Sequence, residues 1–381
     1  MGVLRRVGVY AGAAAALLAT GDATLGSAAS AIGAPAQGWA PPAVFVQTDN
    51  PAGNQVVAYR RAGDGTLVGG QAYATGGLGG VVNGSQVDHL ASEGSLAYDP
   101  AQSALLAVNA GSNTVSLFAV HGDQLQLRQV VASGGSFPVS IAVRGDLVYV
   151  LNALGGGSVA GYVLSSGHLQ PIPGWTRPLG LGTTPATTFT ATPGQVAFSP
   201  DGRQLLVTTK GTGNAIDVFG VGWFGNLSAA PVVNVEPGAV PFGVSFDGAG
   251  RLLVAEAGPN AVQSFALLGN GTLTPIATLA TGQAATCWIT GQGASFFVSN
   301  AGSGDLSDVR SIAGHLTGSG TTATDPGTVD ATLSGDGQFL YVQTGASGIV
   351  DEYHVNPGGT LTQIGAVTVP GSQGGEGIAA G

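Results

Sequence analysis

One stretch of the chain reads Leu105-Leu106-Ala107-Val108-Asn109-Ala110-Gly111-Ser112-Asn113-Thr114-Val115. It consists of an apolar strand, a short break of small polar residues and a second apolar strand, and residues 252–262 and 296–306 repeat it without a gap. Looser copies begin at four other positions, which are Val44, Val148, Leu205 and Leu340. Self-similarity at a period of about 40 to 50 residues is typical of repeat architectures, in which one fold decision covers most of the chain.

Each repeat is predicted to carry four antiparallel β-strands. Turns such as Ser199-Pro200-Asp201-Gly202 end the first strand, because an Asp-Gly pair accepts positive φ at little cost and closes a tight hairpin. Gly-rich turns such as Asn270-Gly271-Thr272-Leu273 lead into the fourth strand. No stretch after the N-terminal leader has the apolar period of a helix, so we predict an all-β fold.

The two ends of the chain complement each other. The first copy starts at its second strand, Val44-Phe45-Val46, while the C-terminal Glu376-Gly377-Ile378-Ala379-Ala380 has the pattern of an inner strand without partners. Pairing the last strand with the first hairpin would remove two exposed sheet edges. We therefore predict a single-domain, seven-bladed β-propeller over residues 43–381, closed by the C-terminal inner strand.

The N-terminus has the pattern of a secretory signal peptide over residues 1–31. Arg5 and Arg6 supply the positive start, residues 7–19 an apolar stretch, and Ala29-Ser30-Ala31 a small-residue cleavage site. The apolar stretch is too short to span a bilayer comfortably. We expect cleavage near Ala31, a linker over residues 32–42 and a secreted protein, with the general and twin-arginine export routes both open.

Composition excludes several classes of partner. The net charge of −10 argues against nucleic acids and anionic membrane surfaces, which need a basic patch. The single cysteine cannot form an internal disulfide, and no histidine or cysteine spacing fits a metal site. We expect no metal, no cofactor and no stable membrane insertion after leader removal. The predicted state is a monomer that binds a small-molecule ligand or a lactone.

Two long insertions precede inner strands, at residues 73–95 and 175–194, so both should lie on the same face of the disc. The starts of the inner strands ring the mouth of the central channel there, which is the default place for a binding site. An equally open interpretation is that the insertions are plain surface loops and that the polar groups bond one another and trapped water. The candidate substrate-binding residues are His89, Glu93, Gln195, Cys287, Trp288, Asp330 and Glu376.

Two charged residues interrupt the repeat at the break between the apolar strands. Glu256 stands where other copies carry Asn109, Asn152 or Asn300, and Lys210, the one lysine of the chain, lies in the same break one blade earlier. A carboxylate there could act as a general base on water, and an ammonium could stabilise an oxyanion. A salt bridge between the two is the alternative. Cys287 fits a small buried thiol better than a nucleophile.

The Asn-Ala-Gly turns and the segment Phe198-Ser199-Pro200-Asp201-Gly202-Arg203 resemble the lactonase family of seven-bladed propellers over residues 43–381. That family includes bladed 6-phosphogluconolactonases and a carboxymuconate-lactonising enzyme, and the resemblance is greatest to exported, actinobacterial-type members. It implies lactone hydrolysis, and the acidic residue of the family matches Glu256.

The same resemblance departs from the family at its basic positions. The His-Pro-His motif reads Thr192-Pro193-Gly194-Gln195, the arginine position is Ala301, and a further basic position reads Pro241-Phe242-Gly243. Nothing replaces those charges, so a phosphorylated or polycarboxylate substrate is not expected. One hypothesis is a hydrolase of a neutral lactone, with Glu256 as base and Lys210 as oxyanion stabiliser. The alternatives are a non-catalytic secreted propeller that binds a ligand or protein, and a structural cell-surface module.

Overall fold

The apolar run of each repeat forms the second strand of an antiparallel sheet, and seven such sheets are present. The structure, a computed structural model, describes residues 42–182 and 188–381, which belong to one compact unit spanning Ala40–Gly381. The predicted signal peptide over residues 1–31 lies outside the described residues, as does the predicted linker apart from its last residue. The prediction of a seven-bladed propeller with four-stranded antiparallel blades is confirmed.

The first three blades come from the N-terminal half of the chain together with its last strand. Blade 1 consists of β1 (Ala43–Gln47), β2 (Gln55–Arg61), β3 (Leu67–Ala74) and β29 (Ile378–Ala380). Blade 2 consists of β4 (Leu96–Asp99), β5 (Ala104–Asn109), β6 (Thr114–His121) and β7 (Gln124–Ala132). Blade 3 consists of β8 (Ser136–Arg144), β9 (Leu147–Leu154), β10 (Ser158–Ser165) and β11 (His168–Pro171), with β12 (Arg177–Pro178) also paired to β10.

The other four blades follow in chain order. Blade 4 consists of β13 (Val196–Phe198), β14 (Gln204–Thr208), β15 (Ala215–Gly220) and β16 (Val232–Val235). Blade 5 consists of β17 (Pro241–Phe246), β18 (Leu252–Glu256), β19 (Ala261–Leu267) and β20 (Leu273–Ala280). Blade 6 consists of β21 (Thr286–Gln292), β22 (Ser295–Asn300), β23 (Asp305–Ile312) and β24 (His315–Ala323). Blade 7 consists of β25 (Thr328–Leu333), β26 (Phe339–Thr344), β27 (Ile349–Val355) and β28 (Leu361–Thr368).

Strand β29 closes the ring as the termini predicted. It pairs antiparallel with β1, and Phe45 faces Ala379 in the register. Two further backbone bonds flank the ladder, from Gln47 N to Gly377 O (2.8 Å) and from Gly381 N to Ala43 O (2.9 Å). The inner edge of blade 1 is therefore paired, which removes the exposed edge that an open array would carry.

Neighbouring blades pack through the apolar faces of their strands. Leu105 and Phe118 of blade 2, for example, share one buried cluster with Phe45 and Ala379 of blade 1. Burying a side chain of this size contributes roughly 1.5–3 kcal/mol. The same contact recurs around the ring, so each blade depends on both neighbours for its core.

The antiparallel strand order sorts the connections onto two faces. We call the insertion face the side that carries the turns between second and third strands and the connections between blades, including residues 73–95 and the described parts of residues 175–194. The opposite face carries the turns between first and second strands and those between third and fourth strands. The short helices α1 (Thr188–Ala191) and α2 (Lys210–Gly213) and the 3₁₀ turn Ala110–Ser112 lie in insertion-face connections. None of the helices in the described residues is long and apolar enough to cross a membrane.

The glycine before the closing strand offers a test of ring closure. Gly377 has φ +114°, and a Cβ placed on it would collide with the Ser95 hydroxyl. We expect Gly377→Ala to lower the free energy of unfolding by about 2 kcal/mol or more, as measured by urea titration. The matched control is Gly53→Ala, because nothing lies within 4 Å of a Cβ at that position. Equal stability of the two variants would contradict this account of closure.

Candidate functional site

The described parts of the two insertions approach each other at Lys210. Lys210 joins them, because its Nζ donates to the carbonyl oxygens of Ala91 (2.5 Å) and Phe189 (2.8 Å), one from each insertion. The first insertion also leads into Glu93, whose Oε2 accepts from the backbone N–H of Ile289 on the far side of the ring (3.2 Å). Lys210 therefore bonds both insertions to blade 4, and Ile289 bonds the first insertion to blade 6.

A cavity of about 150 Å³ lies between the two insertions and the inner strands of blades 5 and 6. Its wall is mostly apolar, with the rings of Phe189, Phe242 and Trp288, while Asp88 and the Cys287 thiol are its titratable groups. The Phe242 and Trp288 rings are 5.0 Å apart at their centroids. A larger cleft of about 470 Å³ lies on the opposite face, between the turns that contain Asp201 and Gly250. A mostly apolar cavity with few polar groups is the usual form of a small-molecule site.

The polar groups around this cavity have strongly shifted acidities. Burial lowers the pKa of Lys210 to about 7, an effect that the nearby Asp88 opposes. Burial raises the pKa of Asp88 to about 6, although its two oxygens accept from the N–H groups of Leu90 and Ser92 (2.8 Å each). Burial also raises the pKa of Cys287 to about 12, so this side chain is a neutral thiol near pH 7 and a poor nucleophile.

Five buried acids cluster at the mouth of the channel, and one of them, Asp88, is part of the cavity wall. Two of them bond the closing segment of the ring: Asp49 Oδ2 accepts from Glu376 N (2.8 Å), and Asp330 Oδ2 accepts from Ile378 N (3.2 Å). The Glu376 carboxyl is itself fully buried, and its Oε2 has no hydrogen-bond partner among the described residues. We call this group the channel carboxyls, and its members are Asp49, Asp88, Glu93, Asp330 and Glu376.

The channel carboxyls hold protons at pH values where exposed acids are ionised. Burial raises the pKa of Asp49 to about 8 and the pKa of Asp330 to about 7. Burial and the Asp330 charge raise the pKa of Glu93 and of Glu376 well above the usual range. The described residues contain no group of three or more His, Cys, Asp or Glu side chains arranged to hold a metal ion.

Glu256 lies apart from the cavity wall. It is the last residue of β18, it is buried, and its Oε1 has no hydrogen-bond partner in the part of the chain that the structure describes. Burial, with the Glu236 charge in addition, raises the pKa of Glu256 to about 7. No ion pair between Glu256 and Lys210 occurs in the described ranges, so the salt bridge considered as an alternative does not form there. The two residues predicted to act together are not in direct contact.

The other predicted binding residues fall into two groups. Cys287 and Trp288 line the cavity, and Glu93, Asp330 and Glu376 belong to the channel carboxyls. Gln195 links two blades, because its Oε1 accepts from Val244 N (2.5 Å). His89 packs its ring against Gly374, away from the cavity wall, and burial lowers its pKa.

Sequence reasoning did not single out Asp88, although it lies next to His89 in the first insertion. Its spacing to Leu90 and Ser92 is that of an Asp that caps nearby backbone N–H groups, which on sequence alone indicates a turn. In the folded protein Asp88 is buried and shares the cavity wall with Phe189 of the second insertion, about 100 residues further along the chain. Only the folded arrangement reveals the charge partner Lys210.

The family model described as "Lactonase, 7-bladed beta-propeller" matches residues 71–374. The chain belongs to this family. Solved structures of the same fold include a periplasmic gluconolactonase of Pseudomonas aeruginosa, with 20% sequence identity, a TM-score of 0.71, and coverage of 89% of this chain and 98% of that one. A candidate 6-phosphogluconolactonase of Bacteroides fragilis is 18% identical, with a TM-score of 0.70 and coverage of 91% and 99%. Among curated protein sequences, none matches this lactonase-family chain.

Stability of this lactonase-family protein should fall as the pH rises. The channel carboxyls have higher pKa values in the folded than in the unfolded chain, so the folded state binds more protons and loses its advantage as they ionise. We expect the thermal-unfolding midpoint to drop by several degrees between about pH 5 and about pH 8. Glu376→Gln should flatten this dependence, whereas the exposed Asp201→Asn should leave it unchanged. A midpoint that rises over this interval would refute the assignment.

Removing the Lys210 ammonium should loosen the two insertions locally. In Lys210→Met the carbonyls of Ala91 and Phe189 lose their donor. We expect amide hydrogen exchange to speed up at least tenfold in residues 84–93 and 188–191, with the outer strands unaffected. Exchange measured by mass spectrometry checks this, with the exposed Arg203→Met as the control. Faster exchange spread evenly over all blades would argue against a local role.

Proposed function

We propose that the protein hydrolyses uncharged lactones at the insertion-face cavity. Membership of the lactonase family supports the reaction class, and the cavity supplies an enclosed, mostly apolar space beside titratable groups. Two residues of the cavity wall support an uncharged substrate rather than an anionic one. Phe242 and Ala301, the positions at which the family resemblance expects basic side chains, both line the cavity.

The charge balance around the cavity supports the same choice. Asp88 in the cavity wall is largely ionised at neutral pH, and its charge partner Lys210 already donates to two backbone carbonyls. A phosphate or carboxylate on the substrate would lose its hydration beside the Asp88 charge, and burying such an ion costs several kcal/mol by order of magnitude. An uncharged lactone avoids that cost, and the aromatic wall favours its ring.

Opening a lactone requires a base for the attacking water and a donor for the developing oxyanion. Asp88 is in the cavity wall, and its pKa of about 6 leaves it largely ionised at neutral pH and able to take a proton from water. Glu256, the base predicted from the sequence, has a pKa of about 7 but lies apart from the cavity wall, so a base role for it requires a substrate that binds outside this cavity. Lys210 supplies the positive charge, since its Nζ is 5.0 Å from the centroid of the Phe242 ring in the cavity wall.

A non-catalytic binding protein is the second candidate function. This function is favoured because the polar groups already have hydrogen-bond partners within the protein. Both Asp88 oxygens accept from backbone N–H groups, and Lys210 donates to two carbonyls. Groups held in this way can serve the structure of the cavity rather than a reaction. In that case the same cavity binds an uncharged ligand without turning it over.

Hydrolysis of a lactone panel separates these functions. We expect the wild type to open uncharged five- or six-membered lactones, Asp88→Asn to reduce kcat by about 100-fold or more, and Glu256→Gln, which lies apart from the cavity wall, to reduce kcat far less. Asp201→Asn on the opposite face is the matched control. Calorimetric binding of a lactone without turnover would support the binding protein, and turnover of anionic lactones alone would overturn the charge argument.

We also propose that residues 1–31 direct export and that the exported protein is a monomer. The support is the Arg5-Arg6 start, the apolar residues 7–19 and the small residues before Ala31. N-terminal sequencing of the exported chain would test the cleavage site. Its mass in solution would test the oligomeric state.

A further inference from the structure

The turn between the third and fourth strands of blade 4 exposes two large aromatic side chains. Trp223 is 96% exposed and Phe224 is 82% exposed. Within the described residues, no other large apolar side chain is more than 60% exposed. Soluble proteins scatter partly exposed apolar residues over their surfaces, but two adjacent aromatic rings in nearly full contact with water indicate an interaction site.

The repeat provides an internal reference for this turn. Gly225 has φ +91° and donates its N–H to the carbonyl three residues earlier. Gly65, Gly271 and Gly359 occupy the same place in blades 1, 5 and 7, with φ between +88° and +91° and the same bond. The residues before these three glycines are Asp64, Asn270 and Gly358, where blade 4 has Phe224. The turn therefore forms without aromatic residues, and folding does not account for them.

Residues of blade 3 and of the second insertion hydrogen-bond the backbone of the turn that carries Trp223 and Phe224. Tyr149 of blade 3 donates its hydroxyl to Gly225 O (2.6 Å), and Arg177 donates to the carbonyls of Leu227 (2.7 Å) and Ser228 (2.8 Å). The Tyr149 ring in turn stacks on Trp175, at the start of the second insertion. A frame that is already fixed loses little conformational entropy when the exposed rings become buried against a partner.

The shape and the charges of this site indicate what the partner is. Trp223 and Phe224 are the most exposed apolar side chains of blade 4, ahead of Val232, Val233 and Val235 on its outer strand, which are 39–60% exposed. The interfacial layer of a bilayer accepts single aromatic side chains, and Trp is enriched there. The flanking arginines are Arg144, Arg177 and the exposed Arg203, against Asp146 and Asp201. The surface around the turn therefore has one more positive than negative side chain, although the net charge of the whole chain is −10.

We propose that Trp223 and Phe224 insert into the interfacial region of a phospholipid bilayer and hold the propeller on a membrane surface. The turn belongs to the opposite face, whereas the cavity opens on the insertion face. Docking through the aromatic tip therefore leaves the cavity directed away from the lipid and open to soluble ligands. This contact is peripheral and needs no membrane-spanning segment.

Vesicle binding by the full chain tests this proposal. The probe is phosphatidylcholine vesicles with a minor fraction of phosphatidylglycerol, made with and without brominated acyl chains that quench tryptophan emission on contact. We expect brominated lipid to quench the wild type more than the double variant Trp223→Gly, Phe224→Asn, and flotation of that variant to fall about tenfold or more. This variant copies Gly269-Asn270 of blade 5, so the turn should still form.

Two control variants separate loss of the aromatic tip from a general loss of apolar surface and from misfolding. Leu78→Ser removes a 44% exposed apolar side chain from the insertion face and should float like the wild type. Phe224→Asn alone should give an intermediate loss, which guards against misfolding of the double variant, and circular dichroism checks each fold. Equal flotation and equal quenching of the wild type and the double variant would overturn the proposal, because any contact through the N-terminal apolar residues persists in both.

Discussion

The pairing of the last strand with the first is the constraint on which the rest of the structure depends. A ring of blades can close only if β29 enters blade 1, and two buried acids bond the backbone of that segment. Asp49 of blade 1 accepts the N–H group of Glu376, and Asp330 of the neighbouring blade 7 accepts the N–H group of Ile378. Closure therefore brings carboxyls to the channel mouth, where they are removed from water and shift each other's ionisation.

That burial also shapes the chemistry of the cavity. The channel carboxyls keep protons that exposed acids would lose, and Lys210 bonds carbonyls of both insertions while offsetting part of the charge on Asp88. The cavity wall thus combines aromatic rings with Asp88, and its residues Phe242 and Ala301 bring no positive charge. An anion that entered this cavity would lose its hydration beside the ionised Asp88, so the cost of burying charge would act together with shape in selecting a ligand.

The fold could be predicted because its determinants are local in sequence. Each second strand, such as those around Phe45 and Leu206, is an apolar run bounded by turn residues, and the termini indicated where the ring closes. The site could be predicted only in part, because its contacts are distant. Trp288 Nε1 donates to Ser92 O, 196 residues away, and the partners of Lys210 are backbone carbonyls in loops without any sequence pattern.

Some residues differ from those at the same position in the other blades. They are most informative about function where they lower stability without improving the local structure. Lys210 loses hydration but gains two carbonyl partners, so a structural role offsets its burial. Among the described residues Glu256 Oε1 is buried without a hydrogen-bond partner, and Phe224 exposes its ring where related turns carry Asp64 or Asn270. Neither residue is explained by the turn or strand that holds it, and sequences that contradict their own local rules do so mainly at functional positions. Glu256 near the insertion face and Phe224 on the opposite face therefore indicate that the two sides of the disc serve separate purposes.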